Sequence, residues 1–278
     1  VLGVREGRRI IGEETVTFSG ILEGVIPKHT AFYCFSNIDN HSRATAFESE
    51  LYRLWIAVAG LWNVYITFPV PMEACIPQGM EGILAAGRCI AADHDAACAL
   101  RMKDEMYKSG EVAAIMAWLS IQHGVPALKI PYPQLRQELL QSGCLREGER
   151  PTFRYGPRGG ELREVFWEIN SESFYEELIS SKPGLTLWGL YRAQNFSDLD
   201  GLIHGMTSPD KKERFHCAIG LALRRDKRCL PILREMLRDP SGETPRTSQM
   251  FMHPYPLISM MLARYLCAEE LTPDLLEI

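Results

Sequence analysis

A four-residue apolar run, Ile83–Ala86, stands between Gly82 and Gly87, and the chain then stays rich in small residues until one long helical pattern takes over. No other stretch restricts the fold as much. Short apolar runs bounded by glycine read as strands buried on both faces, and the spacing predicts such a strand over 83–86. A connection over Arg88–Ala97 follows. Met102, Met106, Ala113, Met116 and Ala117 then give Ala99–Gln122 an apolar stripe at helical spacing, with Ser109 and Gly110 lying between. Gly124 is placed to cap that helix and Pro126 to stop it. Strand, glycine, loop and helix in this order make an α/β junction, and in open α/β sheets ligands bind beyond the carboxyl ends of the strands. From Ala91 to Ala99 the loop is nearly all alanine apart from Asp93, His94, Asp95 and Cys98. Small side chains let backbone N–H groups approach a planar ligand, and a helix N-terminus favours an anionic edge. The alternative is an ordinary structural junction.

Three regions surround this segment. In residues 1–78, Val16 and Phe18 alternate with threonine like a strand, Ala46–Gly60 has helical spacing, and Trp62–Phe68 alternates like an aromatic-rich strand. Pro69, Pro71 and Pro77 then keep the backbone extended or turning. Tyr132–Leu140 reads as a second, shorter helix, and Arg146–Gly160 as a polar, glycine-rich linker. The rest is helical and repetitive. At an offset of 31 residues, Gly189 falls on Gly220, Leu190 on Leu221, Leu199 on Leu230, Leu202 on Leu233, Met206 on Leu237 and Pro209 on Pro240. A third, imperfect copy is read over Pro256–Ile278. Paired amphipathic helices at such a period indicate an α-solenoid, and the tail resembles HEAT-like repeats. A generic helical bundle is the other reading.

Composition narrows the function classes. With 278 residues, 46% hydrophobic and 23% charged, the chain is globular, with one to two domains. A net charge of −5 argues against nucleic acid or an anionic membrane as the main partner. None of the eight cysteines forms a CxxC pair or a zinc spacing, so no metal is expected; they read as buried hydrophobes in a reducing, cytoplasmic compartment. The longest apolar stretch, Leu54–Leu61, is too short to span a bilayer. The chain starts at Val1 in what reads as mid-domain sequence, which leaves an upstream targeting segment open.

Ala86, Gly87, Arg88, Cys89, Ile90, Ala92, His94, Ala96 and Arg101 match the pattern AGRCISATHxA followed by an arginine. Upstream, Arg5-Glu6-Gly7-Arg8-Arg9-Ile10-Ile11-Gly12 is similar to RExRR, two apolar residues and glycine. Ile38-Asp39-Asn40-His41 is similar to IDxH, and Val70-Pro71 with Ile76-Pro77 to a double IP run. On these motifs residues 1–145 resemble the C-terminal part of a family of FAD-dependent oxidoreductases, on which solenoid-like tails also occur. The chain departs from that pattern at Met72 and Glu73 (tyrosine and arginine), Gln78 (lysine), Asp93 (threonine), Ala97 (histidine), Ala99 (serine) and Asp104-Glu105 (proline-threonine). The resemblance implies an α/β fold: part of a β-containing substrate domain over 1–78, the C-terminal part of an incomplete FAD-binding Rossmann-type domain over 79–145, then an all-α, HEAT-like accessory domain over 146–278. It also implies FAD as cofactor and an N-terminal half carrying GxGxxG as partner, since no GxGxxG occurs here and Gly156–Gly160 is no substitute.

Flavin-mediated hydride transfer on a small organic substrate is therefore the expected function. Its rival is a catalytically degenerate scaffold whose helical tail binds a protein partner. The resemblance assigns cofactor contact to Gly87, Arg88, Ala99, Leu100, Arg101 and Met102, and catalysis to His94 and Arg101. Arg101 falls at the expected helix start, where a cation opposes the dipole. That hints at an anionic partner, the alternative being an ion pair to Asp93 or Asp95. His94 is either a general acid/base or a hydrogen-bonded brace for the loop. Arg88 either touches the ribityl–pyrophosphate region or braces the loop. Arg5 and Arg9, with Glu6 and Arg8, suit either a substrate carboxylate or a strand ion-pair network, and the network is favoured. Asp39 and His41 are either a carboxylate–imidazole pair or a turn. His29, His123, His204, His216 and His253 are given no role. The basic run Lys211–Arg228 reads as a solvated helix face, with an interaction surface as the other reading.

Overall fold

The computed structural model describes residues 7–38, 49–157, 160, 162–165, 169, 172–193, 196, 197 and 199–238. In chain order the elements are α1 (Phe18–Glu23), β1 (Thr30–Ser36), α2 (Glu50–Val58), β2 (Val64–Pro71), α3 (His94–Leu100), α4 (Lys103–His123), α5 (Tyr132–Ser142), β3 (Thr152–Tyr155), β4 (Leu162–Glu164), α6 (Phe174–Ile179), α7 (Gly184–Arg192), α8 (Asp200–Gly205), α9 (Lys211–Leu223) and α10 (Leu230–Arg238). They divide into two compact units, residues 1–40 with 65–166 and residues 41–64 with 167–278. The fold is mixed helix and sheet. No helix among the described residues is long and apolar enough to cross a membrane.

The first unit is built on one antiparallel sheet of order β1-β2-β3-β4. Phe32 opposes Val70, Cys34 opposes Phe68 and Ser36 opposes Ile66. The five apolar residues of those pairs are fully buried on one face. β2 realises the aromatic alternation of the sequence. β1 lacks that alternation because both of its faces are covered. β3 forms within the linker expected over 146–160, and β4 follows just after it. The glycine-rich composition there is a turn: Gly156 takes φ 74°, a left-handed angle glycine adopts without penalty. Phe153 is then buried.

Among the described residues, the outer edge of β1 carries backbone groups that no strand pairs. Side chains of α4 and α5 take them instead. Phe35 N donates to Glu105 Oε1 at 2.9 Å, Lys108 Nζ donates to Tyr33 O at 2.5 Å, and Tyr132 Oη donates to Thr30 O at 3.0 Å. An edge satisfied this way cannot template a further strand. The buried face of α4 is accordingly Glu105, Ser109, Val112, Met116 and Leu119. The expected stripe is corrected by one residue's rotation, because two polar residues lie on the face that packs inward.

Three further expectations are corrected. Residues 83–86 form no strand: Ile83 is half exposed, and Ala85 N makes a single bond to Cys75 O at 2.8 Å with no ladder after it. A strand needs repeated partners along its length, and this run finds one. Phe18 starts a helix rather than continuing a strand, since Thr17 Oγ1 accepts from Gly20 N at 3.1 Å and caps α1. The single helix expected over 99–122 is two, α3 and α4, broken at Met102, whose extended angles (φ −65°, ψ 153°) interrupt the helix. Its predicted end at Gly124, with φ 63°, holds.

In the second unit α9 is the central helix, packing against α6, α7, α8 and α10. It is buried without interruption from Phe215 to Leu223. α2 packs on α7, with the Trp55 and Trp188 rings edge-on at 5.0 Å. The basic run is not a plain solvated face. Arg224 donates to Ala193 O at 2.7 Å and Phe196 O at 3.0 Å, capping the end of α7 with a cation, and Arg214 pairs with Glu235 at 2.8 Å. The third repeat, 256–278, lies outside the described residues.

Candidate functional site

Residues 10–16, bent at Glu13 and Glu14, run between two other segments. On one side Glu13 N donates to Ile76 O and Gln78 N to Ile11 O, both at 2.9 Å. On the other, Ile10 N donates to Cys89 O at 2.9 Å, Val16 N to Ala91 O at 3.1 Å and Asp93 N to Val16 O at 2.9 Å. The Arg5–Gly12 motif and the Ala86–Arg101 motif, far apart in sequence, are thus bonded backbone to backbone. Gly12 sits at the closest approach. A Cβ there would fall 2.5 Å from Ala91 Cβ and 2.9 Å from Glu14 O.

Asp93 anchors two helices at once. Its Oδ1 accepts from Ala96 N at 2.6 Å and caps α3, while its Oδ2 accepts from Phe18 N at 2.7 Å in the first turn of α1. One carboxylate therefore pins two helix starts. On the far side, Gly87 N donates to Ser109 Oγ of α4 at 2.9 Å. Gly87 has φ 78°, so any side chain there is strained.

These anchors leave a small, shallow concavity between the 10–16 segment, the Gly87-Arg88 turn and the α3–α4 corner. Of the expected site residues, Arg9, Gly87, Arg88, His94, Leu100 and Arg101 line it. Ala99 is fully buried within α3, and Met102 stands at the corner; neither lines it. Arg5, Asp39 and His41 lie outside the described residues. Gly7, Ile90, Ala92, Ala97, Cys98 and Met106 complete the lining. Sequence reasoning gave them no contact role, although the small-residue character of 91–99 was visible.

Among the described residues, three guanidinium groups line the concavity and no carboxylate does. Arg9 Nε donates to Ala92 O at 2.9 Å, and Arg88 Nε to Arg101 O at 3.4 Å. Arg101 is 6% exposed. It does not stand in the first turn of one long helix, as the sequence suggested, but between two helices, directly before the Met102 N-cap of α4. It is the C-cap residue of α3, where a cation is favourable to the dipole. The next helix, α4, opens at Met102, which supplies no side-chain acceptor for the first N–H groups. His94 is a third exposed on its side chain, and its Nδ1 lies 3.0 Å from Asp95 Oδ1. Among the described residues no group of histidine, cysteine and acidic side chains could hold a metal ion. Burial pushes the Cys75 and Cys144 thiols up to about 12, so both stay protonated and inert.

Cationic groups, a helix start without a side-chain cap and an apolar wall of Ile90, Ala92, Ala97, Leu100 and Met106 fit a planar ligand with an anionic edge. The donor set is of the kind that holds a flavin. Comparison with known proteins returns one family model, described as FAD dependent oxidoreductase, which matches residues 1–139, half of the chain. No curated protein and no solved structure matches.

Proposed function

This chain belongs to the family of FAD dependent oxidoreductases, and from that membership we propose flavin-mediated hydride transfer on a small organic substrate. The observation that carries the reading is the concavity lined by three arginines and no carboxylate among the described residues, all of it within the matched span. FAD, when bound, supplies the two-electron hydride chemistry. The chain's own residues bind, orient and stabilise. Gly87, Ala92 and Ala97 keep the floor open to a flat ring. Arg101, with the start of α4 beside it, would offset negative charge at the ring's pyrimidine edge. Arg88 would hold the ribityl or phosphate part, and Arg9 the substrate side. His94 would hold or move a proton at the ring nitrogen that Asp95 does not engage. No comparison supports the interaction-scaffold reading.

Finer assignments belong to the same proposal. Since the sequence carries no GxGxxG, the pyrophosphate falls to an N-terminal Rossmann half that does, with residues 79–145 completing that domain and 1–78 closing a substrate domain. The helices within 146–278 are read as a HEAT-like accessory region, a surface for a protein partner. In support, α7 with α8 recurs as α9 with α10 at the sequence offset of 31, with Gly189 and Gly220, and Leu202 and Leu233, all buried.

Titration of the chain with FAD, followed by flavin fluorescence quenching and visible absorbance, tests the reading. The chain alone is expected to retain little flavin; with a GxGxxG-bearing half supplied, saturable binding that weakens about tenfold in Arg101→Ala, the loss of one charged contact, is expected. Absence of binding both alone and with a GxGxxG-bearing half supplied would overturn it.

A further inference from the structure

The His94–Asp95 pair contains more than a proton carrier, and its reading rests on the proposed flavin chemistry. Asp95 belongs to the first turn of α3 and is 5% exposed. A carboxylate so far removed from water needs hydrogen-bond donors. His94 Nδ1 is one of them, at 3.0 Å. The start of α3 also favours negative charge at this place. A carboxylate oxygen only accepts, so Nδ1 carries the hydrogen of that bond. Nε2 is then the ring's proton-accepting nitrogen, and His94 lines the concavity with a third of its side chain exposed.

We infer that Asp95 is a positioning residue for His94: it holds the imidazole with Nδ1–H toward its carboxylate and presents Nε2 as a base toward the bound substrate. The logic is that of any imidazole oriented by a second-side acceptor, where the partner of one nitrogen decides what the other can do. Asp93, two residues earlier, cannot share this task, because its two oxygens serve Ala96 N and Phe18 N. The two acids of the Asp-His-Asp run thus divide the work, one fixing the backbone and the other fixing the imidazole.

Imidazole nitrogen NMR on the full chain tests this without any turnover assay. His94→Gln assigns the signal by removing it. In the wild type we expect one dominant Nδ1–H species. Asp95→Asn, whose amide can donate to Nδ1, should shift most of the signal to the Nε2–H species, and Asp95→Glu, which restores a carboxylate, should recover the Nδ1–H form in large part. A wild-type His94 in the Nε2–H form, a wild-type ring averaging freely between tautomers, or an Asp95→Asn spectrum unchanged from wild type would overturn the inference. Should Asp95→Asn not fold, the wild-type and Asp95→Glu spectra decide. The FAD titration of the wild type reports separately: failure there removes the flavin chemistry and leaves the tautomer result standing, whereas flavin binding with the wrong tautomer removes Asp95's role alone.

Discussion

The two units use their polar side chains in opposite ways. In the first, Asp93 and Ser109 bond to backbone at the rims of open space and hold a concavity apart. In the second, Arg224, Glu177 and His216 bond inward and close the helices on one another. Two histidines show the contrast. His216 is 4% exposed, donates from Nδ1 to Leu178 O at 2.8 Å, and meets the Trp62 ring edge-on at 5.6 Å. Burial pushes its pKa down to about 4, and the carbonyl bond recovers only part of that, so the ring stays neutral. His94 bonds through the same nitrogen, but to a carboxylate and beside a concavity. The chemistry of the ring is the same in both. Partner and opening decide that one is structural and the other is placed to work.

The contrast breaks most strongly at Gly12. Gly12→Val drives a branched side chain into Ala91 and into two backbone carbonyls, so the first unit should lose about 3 kcal/mol. Denaturant melts should show the second unit's transition unmoved. Acid should do the reverse, through His216. Between pH 6.5 and about 4 the unfolded histidine takes a proton that the folded one refuses, so stability present above pH 6.5 is lost as pH falls. From pH 7 to 4.5 that amounts to about 2.5 kcal/mol. His216→Gln should flatten that part of the profile, and an unaltered profile would place the acid sensitivity elsewhere. Asp93→Ala removes the α3 cap and the acceptor of Phe18 N at once and should cost about 2 kcal/mol, roughly twice a single cap. Hydrogen exchange should then rise at both Phe18 and Ala96; a rise at only one would mean that a single cap matters.

Much of this was legible in the sequence where the signal is local. The strand expected over Trp62–Phe68, found from Val64 onward after a short turn at Trp62, Gly124 and the helix at 132 state their own structure through alternation, a left-handed cap and periodicity. The motifs also showed which residues would gather, since Arg9, Arg88, His94 and Arg101 do line one concavity. What failed was non-local. An apolar run such as 83–86 becomes a strand only if neighbours pair with it, and pairing is not written in the run. β1 carries no alternation because cover on both faces erases it. The break at Met102 hid because no glycine or proline marks it. The start of α3 could have been found: Asp93 before His94-Asp95-Ala96 is an N-cap signal, and it moves Arg101 from the first turn of one long helix to the corner between two.

Glu105 offers the finest test, because it is a polar residue buried at the sheet rather than at the concavity. Burial raises its carboxyl above the usual 4.5, while the Phe35 N–H and Lys108 pull it back. A carboxyl raised in the folded state contributes stability that is complete below its unfolded value and is lost as pH rises through its folded one. At neutral pH the charge is therefore a burden, and the hydrogen bond to Phe35 N is the benefit. Glu105→Ala leaves that N–H without its acceptor and should cost about 1.5 kcal/mol. Glu105→Gln keeps an acceptor and drops the charge, so it should stay within about 0.5 kcal/mol of wild type, a gap that turns in favour of glutamine as pH rises from 4.5. Urea melts of both variants at two pH values separate the cases. If glutamine loses as much as alanine, the edge of β1 is held by the charge facing Lys108 and not by the hydrogen bond.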